Sequence, residues 1–208
     1  MTDATLPSPR RERAAQVDSE TEDFAQQIAD QVESFLLALR EIAREADPSR
    51  AISLLLLEVS QVLLAGARLG AQTDFTPESE YQPDVGPDED LDELRMRLAG
   101  IFGDLDTYSF VFDPYVPEVV DSQLSDDLSS IATDLGNGLR HFRAGNVEEA
   151  LWWWQFSYVS SWGNLAGAML NALLSVVAHD RLDIELVVDE EQVAAANEML
   201  ESDDTVPR

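Results

Sequence analysis

Residues 143–178 read RAGNVEEALWWWQFSYVSSWGNLAGAMLNALLSVVA and contain all four tryptophans of the chain. From Ala150 to Ala178 no side chain carries a full charge, and this run is longer than the ~20 residues that a helix needs to cross a bilayer. Seven serine, asparagine and glutamine side chains interrupt the run, however, and no basic cluster follows it as an anchor. We therefore predict that it forms a core helix of a soluble protein and not a membrane segment.

Four further helices are predicted from apolar side chains that recur at spacings of three and four residues. Helix 1 is expected to begin at a capping box of Ser19 and Glu22, and helix 2 at Asp47 and Pro48. Helix 2 is apolar on most sides, which predicts that other helices surround it. Helix 3 is predicted over residues 88–102, and helix 4 is expected to begin near Ser125.

The turn at residues 143–146 is expected to join helices 4 and 5 as an antiparallel hairpin. Gly145 suits the left-handed conformation that ends a helix, and Asn146 suits the cap of the next one. Gly163 and Gly167 are four residues apart, which predicts that a neighbouring backbone approaches helix 5 closely. The predicted fold is all-α: one helical bundle of about five main helices, with helices 2 and 5 central and acidic loops between them.

The two ends of the chain differ from the rest in composition. Both are poor in apolar residues and rich in proline, serine, threonine and acids, which is typical of tails that do not order by themselves. We predict a disordered tail over residues 1–20, the bundle domain over 21–182, and an acidic tail over 183–208 with a weak helical pattern at 190–200. The N-terminus lacks the apolar stretch of a secretory signal, so we expect a cytoplasmic protein.

The charge balance excludes several classes of function. The 208 residues include 41 acids, 13 arginines and no lysine, which gives a net charge of −28. Such a surface repels nucleic acid and anionic lipid, so we expect no direct nucleic-acid binding and no membrane partner, whereas basic proteins, polyamines and divalent cations are attracted. The chain has no cysteine and only two histidines, and it lacks phosphate-loop, nucleophile-elbow and metal-binding motifs. We predict no cofactor and no metal site, and a non-enzymatic role is favoured.

One face of helix 5 mixes aromatic and polar side chains. Trp153 shares this face with Ser157, Ser160 and Asn164. Tryptophan beside hydroxyl and amide groups is typical of walls that bind a small molecule or another chain. A core helix whose indole N–H groups are satisfied locally explains the same pattern and is the favoured interpretation.

A polar stripe of Glu58, Gln61 and Arg68 lies on the otherwise apolar helix 2. A carboxylate in such a setting needs a partner, which Arg140, Arg143 or His141 of helix 4 is expected to supply. The alternative is a catalytic carboxylate with a raised pKa. The candidate ligand or partner surface therefore consists of Glu58, Gln61, Arg68, Arg140, His141, Trp153, Ser157 and Asn164.

Two stretches, 72–93 and 104–134, contain nine and eight acids respectively and no base. Both stretches flank helix 3. Proline and glycine residues occur among their acidic residues, which predicts loops. Acidic runs are usually solvated faces that keep a protein soluble. The functional alternative is an acidic docking surface for a basic partner, for which the candidates are Asp88, Glu89, Asp90, Asp92 and Glu93.

Three strings resemble a known bacterial family: LLLLEVSQVLLAGARLGA (54–71), VFDPY (111–115) and RAGNVEEALWWWQFSYVSSWG (143–163). The family is domain of unknown function 5063, and the resemblance covers roughly residues 23–182. The triple tryptophan followed by Gln-Phe-Ser-Tyr makes the resemblance specific. It implies a cytosolic bacterial protein and carries over no activity, cofactor or site residue.

The sequence therefore favours a non-enzymatic interaction or regulatory protein that docks a basic partner, including the case of a polyanion mimic. The alternative is a small-molecule sensor or enzyme that uses the aromatic and polar face of Trp153. A pocket lined by Trp153 and convergent polar groups favours this alternative, whereas a filled core and a continuous acidic face favour the interaction protein. The oligomeric state does not follow from the sequence.

Overall fold

The computed structural model describes residues 9–77 and 81–182, with side chains described from residue 19 onward. This part of the chain is a helical bundle with one two-stranded hairpin, which confirms the predicted class. The elements are α1 (Pro9–Ile42), α2 (Pro48–Gly70), α3 (Asp92–Phe102), β1 (Thr107–Asp113), β2 (Val116–Gln123), α4 (Leu124–Arg143) and α5 (Val147–Ser157). Beyond α5 the helix runs through a π-helical segment (Tyr158–Trp162) to Leu182, and we call Val147–Leu182 the C-terminal helix.

α4 is a central helix of the bundle, which the sequence did not suggest, and the C-terminal helix is central as predicted, since it supplies the fully buried Trp154 and Trp162. α4 packs against α1, α3 and α5, and it buries Leu128, Ile131 and Leu135 almost completely. α2 packs mainly against α1, and its Leu57 and Leu64 are 52% and 60% exposed. Other helices surround α2 less completely than predicted, because Leu57 and Leu64 form an apolar face that meets solvent.

Two predicted helix starts are corrected by the structure. α1 begins at Pro9, so the predicted capping box at Ser19 lies inside the helix and caps nothing. α3 begins at Asp92, four residues after the predicted start at Asp88, because the chain before it follows α4 as an extended loop. The start of α2 is as predicted: the Asp47 side chain accepts hydrogen bonds from the backbone N–H groups of Ser49 and Arg50.

The connection between α4 and α5 agrees only in part with the prediction from the sequence. Gly145 has a φ of 84°, the left-handed conformation that the turn requires. Asn146 occupies the cap position of α5, but its side chain makes no capping hydrogen bond, which corrects that expectation. The two helices form the predicted antiparallel pair, and Trp154 of α5 donates a hydrogen bond to the Leu135 carbonyl of α4.

Close approach of helices is achieved by glycines other than those predicted. A side chain at Gly163 would collide with Tyr158 of the same helix, and one at Gly167 would meet nothing within 4 Å, so within the described part of the chain neither glycine receives a neighbouring backbone. Instead, Gly66 of α2 faces the rings of Tyr158 and Trp162, and Gly138 of α4 faces the indole of Trp154. The bulky rings of the C-terminal helix thus pack into gaps left on its neighbours.

The stretch predicted as acidic loop between helices 3 and 4 is instead a β-hairpin. β1 and β2 pair antiparallel from Thr107 opposite Gln123 to Asp113 opposite Val116, with an irregularity at Phe112. Strand formation agrees with the β-branched and aromatic residues that fill both segments. The hairpin belongs to no larger sheet among the described residues, so its edges are open.

Two helices are long and apolar enough to cross a membrane by length and composition alone. They are α2 and the C-terminal helix, whose most apolar windows are 39% and 28% buried. Core helices of soluble proteins pass the same test, so the absence of a membrane segment stays a prediction. The predicted tail at 183–208, with its helical pattern at 190–200, lies outside the described residues, as do residues 1–8 of the N-terminal tail. Residues 9–20 of that tail belong to α1.

Candidate functional site

A cleft of about 470 Å³ lies between α4, Trp153 and the loop at residues 82–88. α4 contributes Asp134, Asn137 and His141, which share one stripe because they are spaced three and four residues apart. The loop covers this stripe and brings two more carboxylates, Asp84 and Asp88, to the cleft. The structure thus brings together two residues singled out from sequence, His141 and Trp153, with polar groups from a separate segment.

The His141 imidazole lies at the base of the cleft and is fully buried. Its Nε2 lies 2.9 Å from the side-chain amide nitrogen of Gln82, whereas its Nδ1 has no hydrogen-bond partner among the described residues. Burial and, secondly, the neighbouring Arg140 guanidinium lower the pKa of His141 below its usual range. Both effects favour the neutral form of the imidazole.

Arg140 anchors the loop to α4. Its guanidinium pairs with Asp88 and also donates a 2.9 Å hydrogen bond to Asn137 Oδ1. Asp134, in contrast, is paired with no cationic side chain among the described residues. Burial and, secondly, the charge of Asp88 raise the pKa of Asp134. The cleft therefore contains a carboxylate that no arginine of the described residues neutralises.

The tryptophans of α5 use their indole nitrogens to bind α4. Trp153 Nε1 donates to the Asp134 carbonyl at 2.9 Å, and Trp154 Nε1 donates to the Leu135 carbonyl at 3.0 Å. Local satisfaction of the N–H groups is what the core-helix interpretation predicts. Trp154 is fully buried, whereas Trp153 is only half-buried and its ring also lines the cleft. Trp153 thus combines a structural hydrogen bond with a ring that partly faces the cleft.

The other residues of the predicted ligand surface lie away from this cleft. Arg68 donates hydrogen bonds to Gln27 and Gln31 of α1 and lies over the Phe24 ring. Gln61 of α2 is exposed.

Two polar residues of the C-terminal helix behave differently from each other. Asn164 is exposed. Ser157 is buried and accepts a 3.1 Å hydrogen bond from Trp162 Nε1, so its hydroxyl satisfies the buried indole N–H.

The partner predicted for Glu58 is not found. Arg140 pairs with Asp88 and Arg143 with Glu33, while His141 contacts Gln82, so none of the three reaches Glu58. Burial raises the pKa of Glu58, which remains half-buried on α2.

The predicted acidic docking surface is largely engaged within the protein. Asp88 pairs with Arg140, Glu89 with Arg40 at 2.5 Å, and Glu93 with Arg97 at 2.6 Å. Asp92 lies 4.0 Å from Arg95, and Asp90 accepts a hydrogen bond from the Asp92 backbone. These acids therefore present less free charge to a partner than their number indicates.

The hairpin is a second surface with functional features. Its base is fixed to α4, because buried Asp127 accepts hydrogen bonds from Tyr108 at 2.6 Å and from Ser122 at 2.9 Å. The rings of Tyr108, Phe110 and Phe112 follow one another along β1, at centroid distances of 5.4 and 6.4 Å. We call residues 110–120 the arm.

Apolar side chains of the arm are exposed to solvent. Tyr115 is 93% exposed, Val119 71% and Val116 55%. Phe112 and Val120 are also exposed. The arm carries Asp113 and Glu118, and the segment 104–134 around it contains no basic residue. An exposed apolar surface with unpaired strand edges and one sign of charge is suited to binding another chain.

Sequence reasoning missed Asp134, Asn137, Gln82 and the arm. For Asp134 and Asn137 a signal was available, since they share the helical stripe of His141. For the arm the signal was the run of β-branched and aromatic residues on both sides of Pro114. Gln82 lies far from α4 in sequence, and no local pattern indicates that its loop folds onto the helix.

The fold and these surfaces define a small helical-bundle protein with a projecting hairpin. The family model of the domain of unknown function (DUF5063) matches residues 19–179, and the chain belongs to this family. The fold of this chain is similar to that of protein BF1032 from Bacteroides fragilis in its crystal structure. The TM-score is 0.58 and the sequence identity is 20%, over 72% of this chain and 89% of that one. No curated protein matches the chain.

Proposed function

We propose that the protein is a non-enzymatic interaction or regulatory protein that docks a basic partner through the arm. The observation that carries this proposal is the exposure of Tyr115, Val116 and Val119 in a segment without a single basic residue. Apolar contacts at such a surface supply affinity, and complementary charge supplies specificity and a fast association. We further propose that the protein acts in the cytoplasm. We also propose that it does not contact nucleic acid or membrane directly, because its net charge of −28 repels phosphate groups.

The acidic residues of the arm restrict the kinds of partner protein that can bind it. A partner that covers the arm places its own side chains beside Asp113 and Glu118, so it presents lysine or arginine around an apolar centre. The two open strand edges of the arm also offer unpaired backbone groups to an extended segment of the partner. A polyanion mimic would bring several free acids together, and the internal pairing of Asp88, Glu89 and Glu93 gives that version less support.

The proposal is tested by affinity purification from the native host at low and high salt, with mass spectrometry of the retained proteins. The arm variant is Phe112→Ser/Val119→Ser. The matched control is Leu57→Ser/Leu64→Ser, which removes two exposed apolar side chains from α2 instead. We expect a basic protein that is retained by the wild type and the control at low salt and lost from the arm variant.

The captured protein is then purified and its binding to all three chains is measured directly. Retention of the same protein by the arm variant at full strength would contradict docking through the arm. An equal loss of binding by the arm variant and the control would show that the captured protein adheres to any exposed apolar surface. That result would also contradict docking through the arm.

The alternative function, a small-molecule sensor, is favoured by one specific observation. The cleft places Trp153 and His141 beside polar groups from α4 and the 82–88 loop, which is the arrangement that a binding pocket requires. The cleft and the arm are built from different elements, so the two functions do not exclude each other.

A further inference from the structure

The outward face of α2 is a row of exposed apolar and small side chains. Its members recur at spacings of four and three residues, and we call them the α2 stripe: Ser53, Leu57, Ser60, Leu64 and Ala67. Both leucines are more than half exposed. Alternate spacings of three and four residues are the pattern by which one helix packs along another. The stripe therefore has the form of a helix-packing surface that meets solvent.

The two serines of the α2 stripe use their hydroxyl protons inside the helix. Ser53 Oγ donates to the Ser49 carbonyl at 3.0 Å, and Ser60 Oγ donates to the Leu56 carbonyl at 2.7 Å. Covering the stripe therefore leaves no hydroxyl donor unsatisfied, which would otherwise cost free energy. For packing against another surface, the whole stripe behaves as apolar.

The α2 stripe carries no charge, although the chain is strongly acidic. Between Ala51 and Ala67 the one ionisable residue is Glu58, which is half-buried and lies about 100° around the helix from Leu57. Two copies of a chain with a net charge of −28 repel each other. A neutral apolar surface is where two such copies can touch with least repulsion.

The α2 stripe is complementary to itself when two copies of α2 run antiparallel. In one register Leu57 of each copy lies opposite Ala67 of the other, and Leu64 lies opposite Ser60. A large side chain opposite a small one is what allows two helices to interdigitate. A two-fold axis makes both halves of this contact identical, as in most homodimers.

Opposite charges meet at both ends of the same arrangement. Arg50 is exposed in the first turn of α2, and Asp74 is exposed shortly after the last residue of α2, Gly70. Antiparallel pairing brings Arg50 of each copy toward Asp74 of the other. Complementary charge at the rim of an apolar contact fixes its register more than it adds affinity.

The area of the face is close to what a dimer requires. α2 is about 35 Å long and about 10 Å wide, which gives ~350 Å² per copy. The C-terminal helix runs antiparallel beside it, since Gln155 Nε2 donates to the Leu69 carbonyl at 3.0 Å and Ser49 Oγ lies 3.5 Å from Asp180 Oδ2. This helix also exposes apolar side chains, Val159 among them. Together the two helices offer ~700 Å² per copy, against about 800 Å² in a standard interface.

We propose that the protein forms a two-fold symmetric homodimer in which the α2 stripes of two copies pack antiparallel. The interface uses a different element from the arm, so it goes beyond partner docking through the arm, and either proposal can fail alone. The two contacts also respond to salt in opposite directions. Salt weakens docking of a basic partner, whereas it strengthens contact between two acidic copies by screening their repulsion.

Sedimentation equilibrium of the full chain at a series of concentrations tests the proposal. We expect the mass to rise from that of one chain, 23.0 kDa, toward twice that value, and to rise at lower concentration when sodium chloride is added. Leu64→Glu is expected to raise the dissociation constant by about tenfold or more, because the interface would bury an unpaired charge. Val119→Glu places the same charge on an exposed residue of the arm and should leave the dissociation constant unchanged.

Cross-linking tests the antiparallel register, because the chain has no cysteine of its own. Leu57→Cys and Ala67→Cys are prepared as separate chains and mixed under mild oxidation. We expect the mixed disulfide to form several-fold more than the disulfide of either variant with itself. Val119→Cys, on the exposed arm, measures the background of random collision.

Several results would overturn the proposal. These are a wild type that stays monomeric at the highest concentration, a dimer that salt dissociates, equal weakening by Leu64→Glu and Val119→Glu, and a predominance of disulfides of each variant with itself. Circular dichroism checks the fold, and Ala67→Glu replaces Leu64→Glu if the latter does not fold. Binding of a monomeric wild type to phosphatidylcholine vesicles, lost in Leu64→Glu, would assign the stripe to a lipid surface and overturn the proposal as well.

Discussion

Gly163 lies directly after the π-helical segment of the C-terminal helix. A Cβ atom added there would lie 2.5 Å from the carbonyl oxygen of Tyr158, whereas one added at Gly167 would meet nothing within 4 Å. We expect Gly163→Ala to lower the free energy of unfolding by about 1–3 kcal/mol through overpacking. Gly167→Ala is expected to raise it by about 0.5–1 kcal/mol, because alanine costs less entropy in a helix. Urea unfolding of both variants checks this, and equal shifts would contradict it.

Asp134 is expected to make the protein less stable as the pH rises. Burial and the charge of Asp88 raise its pKa in the folded state above the ordinary value of 3.8. The folded chain therefore holds this proton more tightly than the unfolded chain, and stability is lost as the pH rises from 3.8 through the raised pKa. Asp134→Asn removes that loss, so the variant should gain stability over the wild type toward neutral pH and not below pH 3.8.

Thermal unfolding across this pH range measures the difference. Asp126→Asn is the control on the same helix, because its carboxylate is exposed and lies 3.2 Å from Arg95. It should show no such gain. A constant difference between Asp134→Asn and the wild type at every pH would mean that Asp134 does not titrate in this range.

Part of the site could be predicted at the level of single residues. His141 and Trp153 stand out in the sequence because histidine is rare here and Trp153 lies among polar residues on its helix face. Arg140 was one of three residues of helix 4 expected to neutralise Glu58, but it binds Asp88 instead, because the 82–88 loop folds over α4. Helical spacing shows which residues share a face, and it does not show which distant segment covers that face.

A buried carboxylate of α4 binds the hairpin to the bundle. Tyr108 donates a 2.6 Å hydrogen bond to Asp127, and Asp127 is 6% exposed. We expect Tyr108→Phe to lower the free energy of unfolding by about 1.5–3 kcal/mol, the usual contribution of a hydrogen bond to a charged group. Tyr115→Phe makes the same chemical change at the tip, where the ring is 93% exposed, and should leave stability unchanged.

Denaturant unfolding of this pair of variants also tests how the hairpin is attached. If both substitutions are silent, the bond to Asp127 does not hold the hairpin to α4. If Tyr115→Phe is as destabilising as Tyr108→Phe, the tip of the arm is packed and not free.

Helices could be predicted from the sequence where their stripe of apolar residues is long. The apolar stripes of α1, α2 and α4 place their central residues in the core as expected, and Asp47 caps α2 as predicted. The hairpin was predicted as a loop because Pro114 and Pro117 and its acids resemble loop composition. Its strands also lack a clean alternation of buried and exposed residues, since almost all of β2 is exposed. Periodicity is therefore a poor guide to an element that projects from the core.

At the scale of the whole molecule, the net charge of −28 opposes the compact state. Eight ion pairs are formed among the described residues, but most of their side chains are exposed, and such pairs contribute little. Added sodium chloride should therefore raise the midpoint of thermal unfolding, as the Debye length falls from about 10 Å at 0.1 M to about 3 Å at 1 M. A lower midpoint at high salt would show that the ion pairs outweigh the repulsion.

The central claim is that the arm docks a basic partner with the help of its own charge. The direct measurement is the association rate of the captured partner, at a series of salt concentrations, for three chains. They are the wild type, Asp113→Asn/Glu118→Gln in the arm, and Asp23→Asn/Asp74→Asn, which removes two exposed charges elsewhere. We predict that the arm variant associates several-fold more slowly at low salt, that the control matches the wild type, and that all three converge at high salt. Equal slowing of both variants, or of neither, would contradict docking through the arm.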